Sequence, residues 1–201
     1  MRRKGLLEFE GNGTLYGLFL FCAVCAIAGS LMSYSGEDSA WRWLHYLTKP
    51  TATLLLLAAV LCAARPKSKF YGFAVAFGLA FAALGDFFLM LPGDYFMAGL
   101  ICFLITHCAY IYALCRNTRF AAHKGIFVLF AIAALAIITG LWSSLPDALK
   151  IPVIIYAAAL CIMAAQAMSR ALGTEPETPQ RYGAWLAAAG GLFFMTSDTL
   201  L

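Results

Sequence analysis

Charge is the scarcest feature of this chain. Only 12% of its 201 residues are Asp, Glu, Lys or Arg, whereas 63% are apolar. Soluble domains run nearer roughly a quarter charged and about half apolar, and a core of this size cannot hide so many Leu, Ala, Phe and Val side chains. Lipid must therefore be the solvent for most of the surface. The sequence also lacks a zinc-ligand cluster, a Gly-rich phosphate loop and a serine elbow, so no motif points to metal, nucleotide or serine-nucleophile chemistry. A net charge of only +4, dispersed along the chain, excludes a nucleic-acid surface. No internal repeat or low-complexity segment is present. No small-residue cleavage site follows the first apolar stretch, which reads as a retained span rather than a signal peptide.

What is there fits a multi-pass protein. At about 20 apolar residues per span, the length allows roughly seven or eight membrane helices and no separate soluble domain. Apolar runs lie at 15–32, 51–64, 71–91, 95–115, 126–142, 151–168 and 183–201. The expected fold is an all-α polytopic membrane protein, a single transmembrane helical domain with seven spans in a bundle. The second run is short. Trp41, Trp43 and Tyr46 precede it as an interfacial aromatic group, and Pro50 suits the first turn of a helix that starts near Thr48. The chain stops at Leu200 and Leu201 in apolar sequence with no polar flank, so a truncated chain or an unseen eighth helix is expected. Residues 173–180, acidic and proline-containing, read as a solvated loop.

The basic residues set an orientation. Arg2, Arg3, Lys4, Arg65, Lys67, Lys69, Arg116, Arg119, Lys124, Arg170 and Arg181 fall on one side of the spans, and only Arg42, Lys49 and Lys150 on the other. The positive-inside rule then puts the N-terminus in the cytoplasm, with a bacterial inner membrane as the expected location. The seven cysteines, Cys22, Cys25, Cys62, Cys102, Cys108, Cys115 and Cys161, are odd in number and nearly all sit inside apolar runs, which does not make a disulfide framework. Cys22 and Cys25 form a C-x-x-C pattern without a second pair, which reads as small packing residues.

Three ionisable groups lie inside spans, each costing about 2.5 to 3.5 kcal/mol on insertion scales: Asp86, His107 and Asp198. Asp86 comes late in the third span and Asp198 late in the seventh. These spans run in the same direction, so the two carboxyl groups are expected at similar depth, in the outer half of the membrane. Gly78, Ala82 and Asp86 stack at four-residue intervals, as do Gly190, Phe194 and Asp198, with small residues that permit close helix approach. Gly99, Phe103, His107 and Tyr110 share a face of the fourth span, so an imidazole and a phenol could look into one cavity. Hydrogen bonding to a neighbouring helix is the plain structural alternative for each of these groups. Two carboxyl groups in apolar surroundings need not share one protonation state: one can keep its proton while its partner is ionised. That division of labour suits protonating a substrate and stabilising the cation that results. Lys49, at the outer mouth, reads either as the holder of a lipid phosphate or as a snorkelling lysine.

With these residues the sequence resembles the YhhN family, which includes the eukaryotic TMEM-type lysoplasmalogenases. The resemblance runs from about Lys49 to Leu201. It is carried by Thr48-Lys49-Pro50, Leu84-Gly85-Asp86, the stretch from Phe96 to Leu100 continuing to His107 and Tyr110, Ile151-Pro152-Val153 with Tyr156, and the stretch from Gly191 to Asp198. The family's paired acids map onto Asp86 and Asp198. Its members usually continue into an eighth helix, from which this chain departs.

The resemblance implies hydrolysis of the vinyl ether bond of a lysoplasmalogen, giving a fatty aldehyde and glycerophosphoethanolamine or glycerophosphocholine. The expected partners are a lysophospholipid substrate and membrane lipid, with no cofactor, no metal and no nucleic acid; oligomeric state is left open. Asp86 and Asp198 are the expected catalytic pair. Lys49, His107, Tyr110, Tyr156 and Ser197 are candidates for binding substrate or orienting water and the acids. The lipid tail is expected among Phe87, Phe88, Phe103 and Phe194. The rival reading is a small proton-coupled transporter in which Asp86, His107 and Asp198 relay protons, although no inverted repeat or interrupted helix pair supports it. A retinal-type receptor would need a lysine that the seventh span lacks. A structural protein whose acids lock helices together is the third alternative.

Overall fold

A computed structural model of the chain describes residues 13–35, 39–62, 69–116 and 118–199, apart from the side chains of Tyr34, Ser35, Ser39, Pro179 and 197–199. The described residues form seven helices and no strand: α1 Gly13–Ser35, α2 Ser39–Cys62, α3 Lys69–Met90, α4 Phe96–Cys115, α5 Lys124–Leu141, α6 Asp147–Leu172 and α7 Pro179–Thr199. The helices α1 to α6 are long and apolar enough to cross a membrane. The chain thus has the make-up of a multi-pass membrane protein. Exposed Leu20, Phe21, Phe73 and Ile151 are side chains that only a lipid solvent would favour. The last helix, α7, does not reach that standard among the described residues. It opens on Pro, Gln and Arg and then runs through Ala and Gly, which carry less apolar surface than Leu or Ile.

Five expected spans match α1 and α3 to α6 to within a few residues. The second differs. Its helix begins at Ser39, so Trp41, Trp43 and Tyr46 belong to the helix, and Pro50 lies in its interior rather than in its first turn. An interior proline removes one helical hydrogen bond, and hydroxyl groups on either side supply partners for nearby carbonyls. Thr48 Oγ1 donates to Leu44 O and Thr51 Oγ1 to Leu47 O, each at 2.6 Å. Of the groups used above to set orientation and span ends, Arg2, Arg3, Lys4, Arg65, Lys67, Ala64, Leu200 and Leu201 lie outside the described residues.

The helices fall into two compact units, the boundary lying inside α4 between Thr106 and His107. In the first, small residues bring the helices close, as is usual where lipid cannot drive association by the hydrophobic effect. A Cβ on Gly29 of α1 would stand 2.8 Å from His45 N and 2.9 Å from Trp41 O of α2. His45 Nδ1 lies 2.8 Å from Ala26 O beside this contact. Gly85 of α3 lies under the Phe103 ring of α4, and Gly99 of α4 under Leu89. Thr106 Oγ1, fully buried, donates to Gly78 O at 3.0 Å.

In the second unit α5 and α6 pack through Phe130, Ala134, Cys161, Ala164 and Ala165. Ala171 of α6 packs with Ala184 and Ala188 of α7. Gly191 approaches Ala164, whereas Gly190, expected from the sequence to let α7 approach closely, faces open space. The close approach is one residue further round the helix. All seven cysteines are free thiols.

Candidate functional site

The sequence-derived candidates separate into two polar groups. The first is built on α2 and α3. Asp86 is 4% exposed on the small-residue face that also buries Gly78, Ala82 and Gly85. Lys49, on the turn of α2 that contains Pro50, places Nζ 3.3 Å from Asp86 Oδ1. One turn on, Thr53 Oγ1 donates to Asp86 Oδ2 at 2.9 Å. Each carboxylate oxygen therefore has a donor, one of them a cation, the pairing that suits an acceptor-only carboxylate. Lys49, read from the sequence as a phosphate holder or a snorkelling residue, turns its ammonium to Asp86. Thr53 was not anticipated. The signal was its i+4 spacing from Lys49, which places the two on one helical face.

The second group is built on α4, α6 and α7. His107 is fully buried. Its ring stands 5.1 Å from the Tyr156 ring of α6 and 5.1 Å from the Phe194 ring of α7, centroid to centroid. Among the described residues neither Nδ1 nor Nε2 has a hydrogen-bond partner. Tyr110, Tyr156 and Phe194 also pack on the apolar cluster of Leu114, Leu160, Met163 and Ala167. The structure thus brings together His107, Tyr110 and Tyr156 with Phe194, one of the expected tail-binding rings. Of the other three such rings, Phe103 covers Gly85, Phe88 stacks on Tyr95 and Phe87 is half exposed. Ser197 and Asp198 continue α7, one of them four residues past Phe194, and their side chains lie outside the described ones.

A third polar cluster, missed from the sequence, clamps residues 118–123 to α6. Gln166, fully buried, accepts from Ala121 N at 3.1 Å and donates to Arg119 O at 3.4 Å. Ser169, also buried, accepts from His123 N at 3.2 Å. Ala121 has φ +52°, a conformation costly for a residue with a Cβ. The signal was Gln166, an amide inside a predicted span and therefore in need of partners. Its partners are mostly backbone groups of one loop, so the cluster is a structural clamp. Between α5, α6 and α7 lies an apolar cleft of about 480 Å³, with Thr196 its one polar side chain among the described residues. Among the described residues no set of three His, Cys, Asp or Glu side chains is placed to hold a metal ion.

No curated protein and no solved structure matches this chain. Residues 44–201 match the YhhN family, a stretch that covers most of the chain and contains Lys49, Thr53, Asp86, His107, Tyr156 and Phe194, and the protein belongs to that family.

Proposed function

We propose that the protein is a membrane lysoplasmalogenase-like hydrolase that cleaves the vinyl ether bond of a lysophospholipid by acid and base catalysis from Asp86 and Asp198. The observation that carries this reading is the buried carboxylate of Asp86, held by Lys49 and Thr53 in a chain of the YhhN family. A charge buried inside a span is expensive, so its presence there argues for use.

The partners of Asp86 suggest its share of the work. A carboxyl group whose two oxygens both face donors is placed to act as base rather than as acid, which leaves Asp198 as the acid. Asp198 delivers its proton to the vinyl β-carbon, and the positive charge develops at the α-carbon as an oxocarbenium ion. Asp86 stabilises that charge and directs water to the α-carbon, accepting a proton as the new C–O bond forms. The hemiacetal collapses to a fatty aldehyde and a glycerophospho-alcohol, and proton exchange with solvent resets both carboxyl groups. The enzyme would reside in a bacterial inner membrane with its N-terminus in the cytoplasm.

The test is aldehyde release from a lysoplasmalogen in detergent by the wild type and by Asp86→Asn and Asp198→Asn. Loss of one acid or base is expected to lower kcat by about 10²- to 10⁴-fold. Full activity in either variant removes that residue from the mechanism. Solute flux into proteoliposomes without aldehyde release would favour the carrier instead.

A further inference from the structure

We infer that His107 is the group that holds a single neutral hydroxyl at the site, and that this makes it a specificity-determining residue for lysolipids. The inference rests on the lysolipid reading above and gives it a recognition element. His107 is fully buried, and neither ring nitrogen has a partner among the described residues. Buried polar atoms left without a hydrogen bond destabilise a fold, and a phenylalanine would fill the same space against Tyr156 and Phe194 without that cost. Packing therefore does not explain an imidazole here. A ligand atom does.

The surroundings restrict the ligand. Its walls are the rings of Tyr156 and Phe194, at 5.1 Å each, backed by Leu160 and Met163. A charged group would lose its hydration there with no opposite charge among these neighbours. A neutral imidazole offers one donor and one acceptor, and a hydroxyl can serve either nitrogen, accepting from N–H or donating to the bare nitrogen. Tyr156 and Phe194 are themselves only partly buried, so rotation of either ring opens a way in. Phe194 lies one helical turn before Asp198 on the same face of α7, which puts a held hydroxyl next to the segment that carries the proposed acid. Two sources supply such a hydroxyl: the free C2 hydroxyl of a lysolipid's glycerol, which a two-chain lipid lacks, and water.

The test uses the full chain in detergent, as wild type, His107→Phe and His107→Gln. Each is assayed on a 1-alkenyl lysophospholipid and on the same lipid without its C2 hydroxyl. If the lipid supplies the hydroxyl, the wild type prefers the hydroxyl-bearing substrate by about 100-fold or more in kcat/KM, since a site built to pair a hydroxyl rejects its deletion strongly. His107→Phe abolishes the preference and unfolds at or above the wild-type temperature, and His107→Gln, with an amide donor and acceptor, recovers part of it. If water supplies it, His107→Phe lowers kcat on both substrates alike and leaves KM unchanged, and the specificity role is overturned. Unchanged kinetics on both substrates in His107→Phe overturn the inference. So does a loss of activity accompanied by a lowered unfolding temperature that His107→Gln does not correct. A parallel arm measures thermal stabilisation by saturated 1-alkyl lysolipids with and without the C2 hydroxyl, which cannot be cleaved. If no substrate yields aldehyde, the hydrolase reading fails while this arm still decides: greater stabilisation by the hydroxyl form in wild type only supports His107, and equal stabilisation overturns it.

Discussion

Lys49 and Asp86 form an ion pair between neighbouring helices, with the carboxylate buried and the ammonium partly exposed. Removing one partner of such a pair costs more than removing both, because the survivor is left charged in a poor solvent. Lys49→Met should therefore destabilise the protein by about 1–3 kcal/mol, read as a lower unfolding temperature in detergent. Lys49→Met combined with Asp86→Asn should lose less than the sum of the single changes, a coupling of about 1 kcal/mol or more for residues in contact. Additive effects would show that the contact carries no energy. This pair also marks the limit of what single residues disclose in a sequence. The burial of Asp86 was legible from the expense of an acid within an apolar run. Its attachment to Lys49 was not, because the same lysine at the start of an apolar run reads equally well as a phosphate holder or a snorkelling residue. His107 was legible as an unusual group on a face with Tyr110. Its ring contacts come from α6 and α7, which no local pattern could identify.

The helices of each unit meet through glycines and alanines, and their positions divide into those that carry a crossing and those that do not. Gly29 is the tightest. An added Cβ would meet backbone atoms of His45 and Trp41 at under 3.0 Å, and backbone cannot swing away as a side chain does. Gly29→Ala should force α1 and α2 apart, costing about 1–3 kcal/mol as an overpacked contact. Gly85→Ala meets only the Phe103 ring, which can rotate, so its loss should be smaller. Gly17 of α1 faces open space, and Gly17→Ala should be neutral or stabilise by up to about 1 kcal/mol through helix propensity. Unfolding temperatures of the three variants should rank in that order, and equal losses at Gly29 and Gly17 would show that the first crossing is loose. At this scale most of the fold was readable, because each span is a long apolar run punctuated by polar loops. The start of α2 was missed where Trp, Arg, His and Pro mix. They looked like a flank, yet they belong to the helix, whose proline is flanked by threonine hydroxyls bonded to backbone carbonyls. Gly190 was chosen over Gly191 because four-residue spacing to Asp198 cannot say which side of α7 meets α6.

For the whole molecule the deciding quantity is the asymmetry of Lys and Arg rather than any single contact. If successive helices cross in alternating directions, Lys69, Arg116, Arg119, Lys124, Arg170 and Arg181 fall on one side, and Arg42, Lys49 and Lys150 on the other. Two of the latter are engaged: Lys49 with Asp86, and Lys150 with Asp147 and, 4.9 Å above its ring, with Trp142. The positive-inside rule counts Lys and Arg near the membrane ends of short loops, so the larger first set would mark the cytoplasmic side. The loops at 116–123 and 173–178 should then be cytoplasmic, and those at 91–95 and 142–146 should face the opposite side. Fusions carrying a reporter active only in the cytoplasm, or only outside it, at each of these four loops would measure this directly. Inverted readings at all four would reverse the orientation, and a disagreement between neighbouring loops would remove the intervening helix from the set that crosses. A fifth fusion, after Leu201, addresses α7, which carries Arg181 in its first turn and is rich in Ala and Gly. With the Arg181 end expected inside by the same rule, the reporter should read outside if the helix crosses; a cytoplasmic reading means that α7 returns to the side on which it began.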